Sequence, residues 1–282
     1  MKRTREEVEK EDKERAQLPD EFVAAHSDEF IKACDFILSK EPSFIDIITA
    51  TNFELFLREA APFEITLKSA FTKLSCAIIA QQISGKAGNS IKGRVIDLFD
   101  GTFPTYQQLK EAFKNDKRKQ EVRGCGVSAR KVTYLESLVN YFVEKEDEID
   151  KMFKETGNDQ EVIDHLVENI KGVGVWSAKM FLITGLKRYD VFASEDLGAA
   201  RGCSRYFSEN PELLKELTAK RTEVIKSKHK KNSNWKVYDD DLVISCGDRF
   251  APYRTVFMFI LWRLSATNVE VIANNERQFV RD

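Results

Sequence analysis

Ile170-Lys171-Gly172-Val173-Gly174-Val175-Trp176-Ser177-Ala178-Lys179 lies between two apolar stretches of helical period, and its reading decides the fold. Upstream, Val162, Ile163, Leu166 and Ile170 recur at helical intervals, so one helix runs into Lys171. Downstream, the chain from Trp176 to Leu186 is apolar on nearly every side, as expected of a helix packed into a core. Two glycines separated by one residue allow a tight reversal and let bare backbone N–H groups approach a ligand. Amides ahead of a helix N-terminus bind phosphate without reading a base. Taken alone, Gly-x-Gly between helices is also compatible with an ordinary tight turn. It is not a dinucleotide fingerprint, because it lacks a preceding strand and a third glycine at the required spacing.

Working outward, helical periodicity dominates and strand alternation is scarce, which predicts an all-α fold. Phe22 to Leu38 reads as helical. Leu67, Phe71, Leu74 and Ile78 share one face of a segment that ends in Gln81 and Gln82. After a break at Ser84-Gly85, the pattern resumes through Ile91, Val95, Ile96 and Phe99 and stops at Gly101. Val132, Leu135, Leu138, Val139 and Phe142 form another stripe, with Ser128 as its expected cap. Arg130 and Lys131 in its first turn oppose the helix dipole; they are ordinary surface charges or mark a phosphate at that end. Acidic Glu144 to Asp150 reads as a solvated connection or helix end.

With 282 residues, 42% of them hydrophobic and 32% charged, the chain can bury one substantial core or two small lobes. The longest apolar run, Val256 to Leu264, is far short of a bilayer span and contains Arg263, so it reads as a buried helix. The charged opening, Met1 to Arg15, resembles no signal peptide; a frayed tail in an intracellular protein is expected. The five cysteines are scattered without zinc or cluster spacing and are expected to be reduced. A net charge of −2 neither favours nor excludes nucleic acid, because DNA binding needs a local basic surface. Such a stretch exists between Lys220 and Lys236, with Glu223 as its single acid up to Lys236. It reads as a solvated loop, a phosphate-contacting arm or an import signal.

Four separated stretches carry a family resemblance: Ala80-Gln81-Gln82-Ile83-Ser84-Gly85-Lys86-Ala87, Val167 to Leu182, Asp190 to Gly198, and Ala251-Pro252-Tyr253-Arg254. Together they resemble the helix-hairpin-helix (HhH-GPD) DNA glycosylases, and within them the alkylbase, AlkA-like branch and its yeast members. The likeness extends over roughly residues 20 to 282. It implies two helical lobes around a cleft: 75–189 with the hairpin, and 19–74 plus 190–282, after a charged tail at 1–18.

The resemblance also implies a reaction. Relatives that cut the DNA strand carry, at the position of Trp176, a lysine that forms a Schiff base with the sugar; an indole cannot do this. A monofunctional enzyme is therefore expected, releasing alkylated purines such as 3-methyladenine and 7-methylguanine from double-stranded DNA. The family's catalytic aspartate falls on Asp196, which without that register would read as a helix cap or surface charge. Glu195 is expected to be peripheral, since adjacent side chains diverge.

The base must leave the stack, and Gln82 is the residue carried over as the wedge that fills the gap. Trp176, Met180 and Tyr253 are candidates for the base pocket, although each also suits plain packing. Gly172, Gly174, Ser177, Lys179, Ser84 and Lys131 are candidates for phosphate contact. The chemistry calls for no cofactor, but the family hairpin often holds a sodium or potassium ion on carbonyls corresponding to Glu168, Ile170 and Val173. A nuclear monomer with no membrane partner completes the expectation. Lys171 and Ser194 stand where many relatives have proline.

Overall fold

The computed structural model describes residues 17–60, 63–83, 85–230 and 234–266; most of the charged head and Ser84 lie outside them. The chain opens with α1 (Asp20–Ala25), α2 (Asp28–Lys40) and α3 (Ile45–Thr49). Next come α4 (Leu67–Ala80), α5 (Gly85–Leu98), α6 (Tyr106–Phe113), α7 (Asp116–Gly124) and α8 (Ala129–Glu144). Then follow α9 (Glu146–Glu155), α10 (Asp159–Asn169) and α11 (Val175–Thr184). It closes with α12 (Leu197–Glu209), α13 (Pro211–Ala219), α14 (Asp240–Asp248) and α15 (Arg254–Ser265). Among the described residues, extended pairing is confined to an isolated bridge between His26 and Leu57. The fold is all-α, as the periodicity predicts.

Local chemistry explains most boundaries. Ser128 caps α8, its hydroxyl accepting from Lys131 N, as expected. Thr66 with Ser69, and Thr105 with Gln108, close reciprocal capping boxes on α4 and α6. After α5, Gly101 takes left-handed backbone (φ +86°) and its amide returns to Ile96 O. Two expectations need correction. The stretch from Phe22 to Leu38 is two helices, because Ser27 caps a new one by accepting from Phe30 N. Glu144 to Asp150 is largely the start of α9, whose first-turn Glu146, Asp147 and Glu148 suit the positive end of the helix dipole.

The described chain forms two compact units, with boundaries at Ala61/Pro62 and Val191/Phe192. In the middle unit, Phe71, Tyr106 and Phe142 pack with ring centroids 5.3–5.6 Å apart, and Phe153 meets Phe181 at 5.0 Å. In the unit made from both ends of the chain, α15 is buried on almost every side and packs most extensively against α12. No described helix is long and apolar enough to cross a membrane.

Among the buried side chains of α15 is a charged one, Arg263, 1% exposed. Its guanidinium lies over the Phe53 ring and donates to the carbonyls of Ile47, Ile48, Thr51 and Asn52 at 3.0–3.1 Å. It thereby satisfies carbonyls at and beyond the end of α3 that would otherwise be left without donors. Fully buried His26 stands near it, with Nδ1 2.7 Å from Phe22 O and Nε2 3.0 Å from the amide of Phe53. The two partners require a neutral ring that donates from Nδ1 and accepts at Nε2. Burial depresses the pKa of His26, and Arg263 adds to this, although the Phe22 carbonyl opposes it.

A base whose folded pKa is depressed contributes its full stability above its unfolded pKa, about 6.5, and loses it as pH falls toward the folded value. The thermal midpoint should therefore drop between pH 7.5 and 5.5. In His26→Gln, which keeps one donor and one acceptor, the drop should be smaller. An identical decline in parent and variant would clear His26 of this role.

Candidate nucleic-acid interface and active site

In the middle unit, the chain leaves α10 at Ile170 and enters α11 at Val175 through a turn that only glycine can make at residue 172. Gly172 has left-handed backbone (φ +84°), and a Cβ there would lie 2.2–2.5 Å from atoms of the Tyr134 ring. Lys171 N donates to Ser137 Oγ at 3.0 Å, tying the turn to α8. Gly174 is the N-cap of α11 and brings no capping side chain, and a Cβ there would meet nothing within 4 Å. The result is an uncapped helix N-terminus beside a rigid turn, which suits an anion. Val175 and Trp176 stand exposed on its first turn (46% and 36%), whereas Ser177 and Met180 are buried and Lys179 is half-buried.

A second turn adjoins the hairpin. Beyond α4, Gln81 Nε2 donates to Gly172 O at 2.7 Å, and Lys131 Nζ donates to Ile79 O at 2.7 Å from α8. Burial depresses the pKa of Lys131. This lysine, expected to contact phosphate, spends one of its donors on the last turn of α4. Gln82, the expected wedge, is exposed and has left-handed backbone (φ +58°), an uncommon state for a residue with a side chain. Ile83 beside it is 38% exposed.

In the other unit, Asp196 is the N-cap of α12. Its Oδ1 accepts from Ala199 N at 2.9 Å and from the indole Nε1–H of Trp262, on α15, at 2.7 Å. The carboxylate is half-buried and occupies the positive end of a helix. Gly198 makes room for this arrangement, because a Cβ there would lie 2.7 Å from Trp262 Cδ1. Tyr253 stands at the opposite end of α15, nine residues from Trp262, so about 13 Å along the helix. Its hydroxyl donates to Glu29 at 3.2 Å, and its ring meets Phe36 edge-on. Burial and Glu29 raise its pKa.

The basic stretch from Lys220 is partly neutralised within the chain. Arg221 pairs with Asp239 and Asp241 at 2.6 Å, while Lys226 pairs with Asp239 and Lys220 with Glu216. Lys228, Lys230 and Lys236 are exposed. Reading the sequence missed Gln81, Trp262, Gly198 and Gly202 as parts of the site. The four-residue interval from Gly198 to Gly202, placing two glycines on one helix face, was the available signal for the last two.

Comparison with known proteins gives these features a family. Residues 76–227 match the HhH-GPD superfamily base excision DNA repair proteins. The chain is 51% identical over 265 residues to the DNA-3-methyladenine glycosylase of Saccharomyces cerevisiae, covering 94% of this chain and 89% of that protein. It is 28% identical over 203 residues to DNA-3-methyladenine glycosylase 1 of Schizosaccharomyces pombe, covering 70% and 73%. The crystal structure of the DNA-3-methyladenine glycosidase of Bacillus halodurans shares the fold, with a TM-score of 0.58 at 24% identity, covering 84% of this chain and 91% of that one. The Schizosaccharomyces pombe 3-methyladenine DNA glycosylase in complex with abasic DNA also shares it, with a TM-score of 0.57 at 23% identity, covering 82% and 95%. An all-α chain with a glycine hairpin, an uncapped helix behind it and a helix-capping aspartate further on thus belongs to the HhH-GPD superfamily of base excision DNA repair proteins.

Proposed function

We propose that this protein is a monofunctional DNA glycosylase that flips alkylated purines out of double-stranded DNA and hydrolyses their N-glycosidic bonds. The observation that carries the mechanism is Asp196, a half-buried carboxylate held by two N–H donors at a helix N-terminus. Its surroundings suit an anion, which is the form the reaction needs. A purine alkylated at N3 or N7 carries positive charge and departs as a neutral base, so protonation of the leaving group contributes little. The sugar becomes oxocarbenium-like as the C1′–N bond breaks. A fixed carboxylate stabilises that cation and orients or deprotonates the attacking water, whose oxygen bonds to C1′ while one proton is released. This parallels the carboxylate chemistry of glycoside hydrolysis without a second catalytic acid.

Trp176 supports the monofunctional reading, because its indole offers no amine for a Schiff base with the sugar. The amides at the start of α11, between Gly172 and Ser177, fit a DNA phosphate. Gln82, exposed on a pinned turn, fits the space left by the flipped nucleotide. Exposed Trp176 suits stacking on a cationic base, since an electron-rich ring favours it over a neutral one. Met180 is buried and Tyr253 is hydrogen-bonded to Glu29, so each serves packing within its own unit.

Glu168, Ile170 and Val173 lie at and just after the end of α10, where the helix dipole is negative, and backbone oxygens are the hard ligands that a sodium or potassium ion takes. A bound ion would add positive charge facing DNA phosphate. Nuclear action as a monomer belongs to the same proposal, supported by the resemblance to yeast relatives.

Single-turnover assays on methylated duplex DNA, scoring free base and strand breaks separately, test this reading. The parent should release methylated purine and leave the abasic strand intact, and Asp196→Asn should be slower by about 10²- to 10⁴-fold. A parent that releases no base, or an equally fast variant, would sink the proposal. The hairpin makes its own prediction. Gly172→Ala should lose about 1–3 kcal/mol of stability and bind abasic duplex more weakly. Gly174→Ala, where space is open, should lose less than about 1 kcal/mol. Equal losses in denaturant unfolding would contradict the steric account.

A further inference from the structure

We infer that Trp262 is a positioning residue for Asp196, and that Gly198 is the space that admits it. This rests on the reading of Asp196 as the carboxylate facing the sugar. The Trp262 Nε1–H lies 2.7 Å from Asp196 Oδ1, the same oxygen that accepts from Ala199 N at 2.9 Å. An indole N–H is donor-only. Trp262 can therefore only donate to the carboxylate, whose Oδ1 accepts. Two donors converging on one oxygen also restrict rotation of the carboxylate about its terminal torsion. A preorganised, ionised group is what stabilisation of a developing sugar cation requires.

The surroundings are built for this contact. Phe259 packs against the indole, with ring centroids 4.7 Å apart, and fixes its tilt. Gly198 lies within α12 without left-handed backbone, so turn geometry does not call for glycine there. Glycine inside a helix costs about 1 kcal/mol relative to alanine. The space it leaves supplies a reason: a Cβ at 198 would lie 2.7 Å from Trp262 Cδ1 and 3.1 Å from both Trp262 Nε1 and Asp196 Oδ1. One methyl group would intrude on both members of the hydrogen bond. A staple between α12 and α15 would need only the ring; the N–H directed at Oδ1 adds a chemical role.

Trp262→Phe keeps an aromatic ring against Phe259 and removes the donor. At saturating enzyme, single-turnover base release from methylated duplex should fall about 10- to 100-fold, the range expected for losing one hydrogen bond to a charged group. Affinity for a duplex containing an abasic site should stay within about twofold of the parent. Gly198→Ala should produce a similar fall by displacing the indole, and the double variant should be no slower than the slower single one. In an Asp196→Asn background, Trp262→Phe should change the rate little.

A Trp262→Phe enzyme as fast as the parent while Asp196→Asn is slow would overturn the positioning role and leave Asp196 standing. Effects of Trp262→Phe and Gly198→Ala that multiply, or a Trp262→Phe loss that persists undiminished in the Asp196→Asn background, would also overturn it. An Asp196→Asn enzyme as fast as the parent would remove the underlying reading as well. If Gly198→Ala does not fold, Trp262→Phe in the two backgrounds decides the matter.

Discussion

The close crossing of α12 and α15 is the contact on which the candidate active site depends. At Gly202 the backbones come so near that a Cβ would lie 2.1 Å from Leu261 O, and four residues earlier Gly198 leaves room for Trp262. Two small residues one turn apart let one helix settle against the other's backbone. That settling brings the indole N–H to Asp196 at the mouth of α12. Arg263, next in α15, fixes the helix against carbonyls at and beyond the end of α3. Core packing and chemistry are thus shared by successive residues of one helix: Leu261 accommodates the crossing, Trp262 meets the carboxylate and Arg263 anchors the helix.

Much of the helical framework was legible because its signals are local. Ser128, Gly101 and the glycines at 172 and 174 act through their own backbone or that of near neighbours. The split at His26-Ser27 was hidden because apolar periodicity continues across it, and only the cap hydrogen bond from Phe30 reveals the break. The acidic run after Glu144 looked solvated, yet acids also favour the first turn of a helix, and α9 begins there. The site was legible where it resides in a motif and obscure where it depends on contacts distant in sequence. Trp262 lies 66 residues from Asp196, within an apolar run that reads as core. Gln81 looked like a helix-end amide, but it reaches a carbonyl 91 residues away.

Charge shows the same division between sequence and space. The stretch from Lys220 to Lys236 reads as strongly basic, but Asp239 and Asp241, just beyond it, fold back onto Arg221. That paired arginine belongs to the internal bracing of the loop. Among the described residues, Lys228, Lys230 and Lys236 also stand exposed. Counting residues along the chain therefore exaggerates the field that the folded surface presents. Lys131 makes the converse point, since an ammonium placed near a helix start is turned toward the carbonyl of Ile79.

The hydrogen bond from Gln81 to Gly172 makes the glycine hairpin and the Gln82 turn parts of one solid piece. Such a piece acts as a ruler. On the proposed reading, one phosphate seated at the hairpin would set by protein geometry which nucleotide faces Gln82, whatever the local DNA sequence. Inspection along a duplex would then be a matter of registration, each backbone step presenting the next position at the same offset, with damage judged by how readily that position yields.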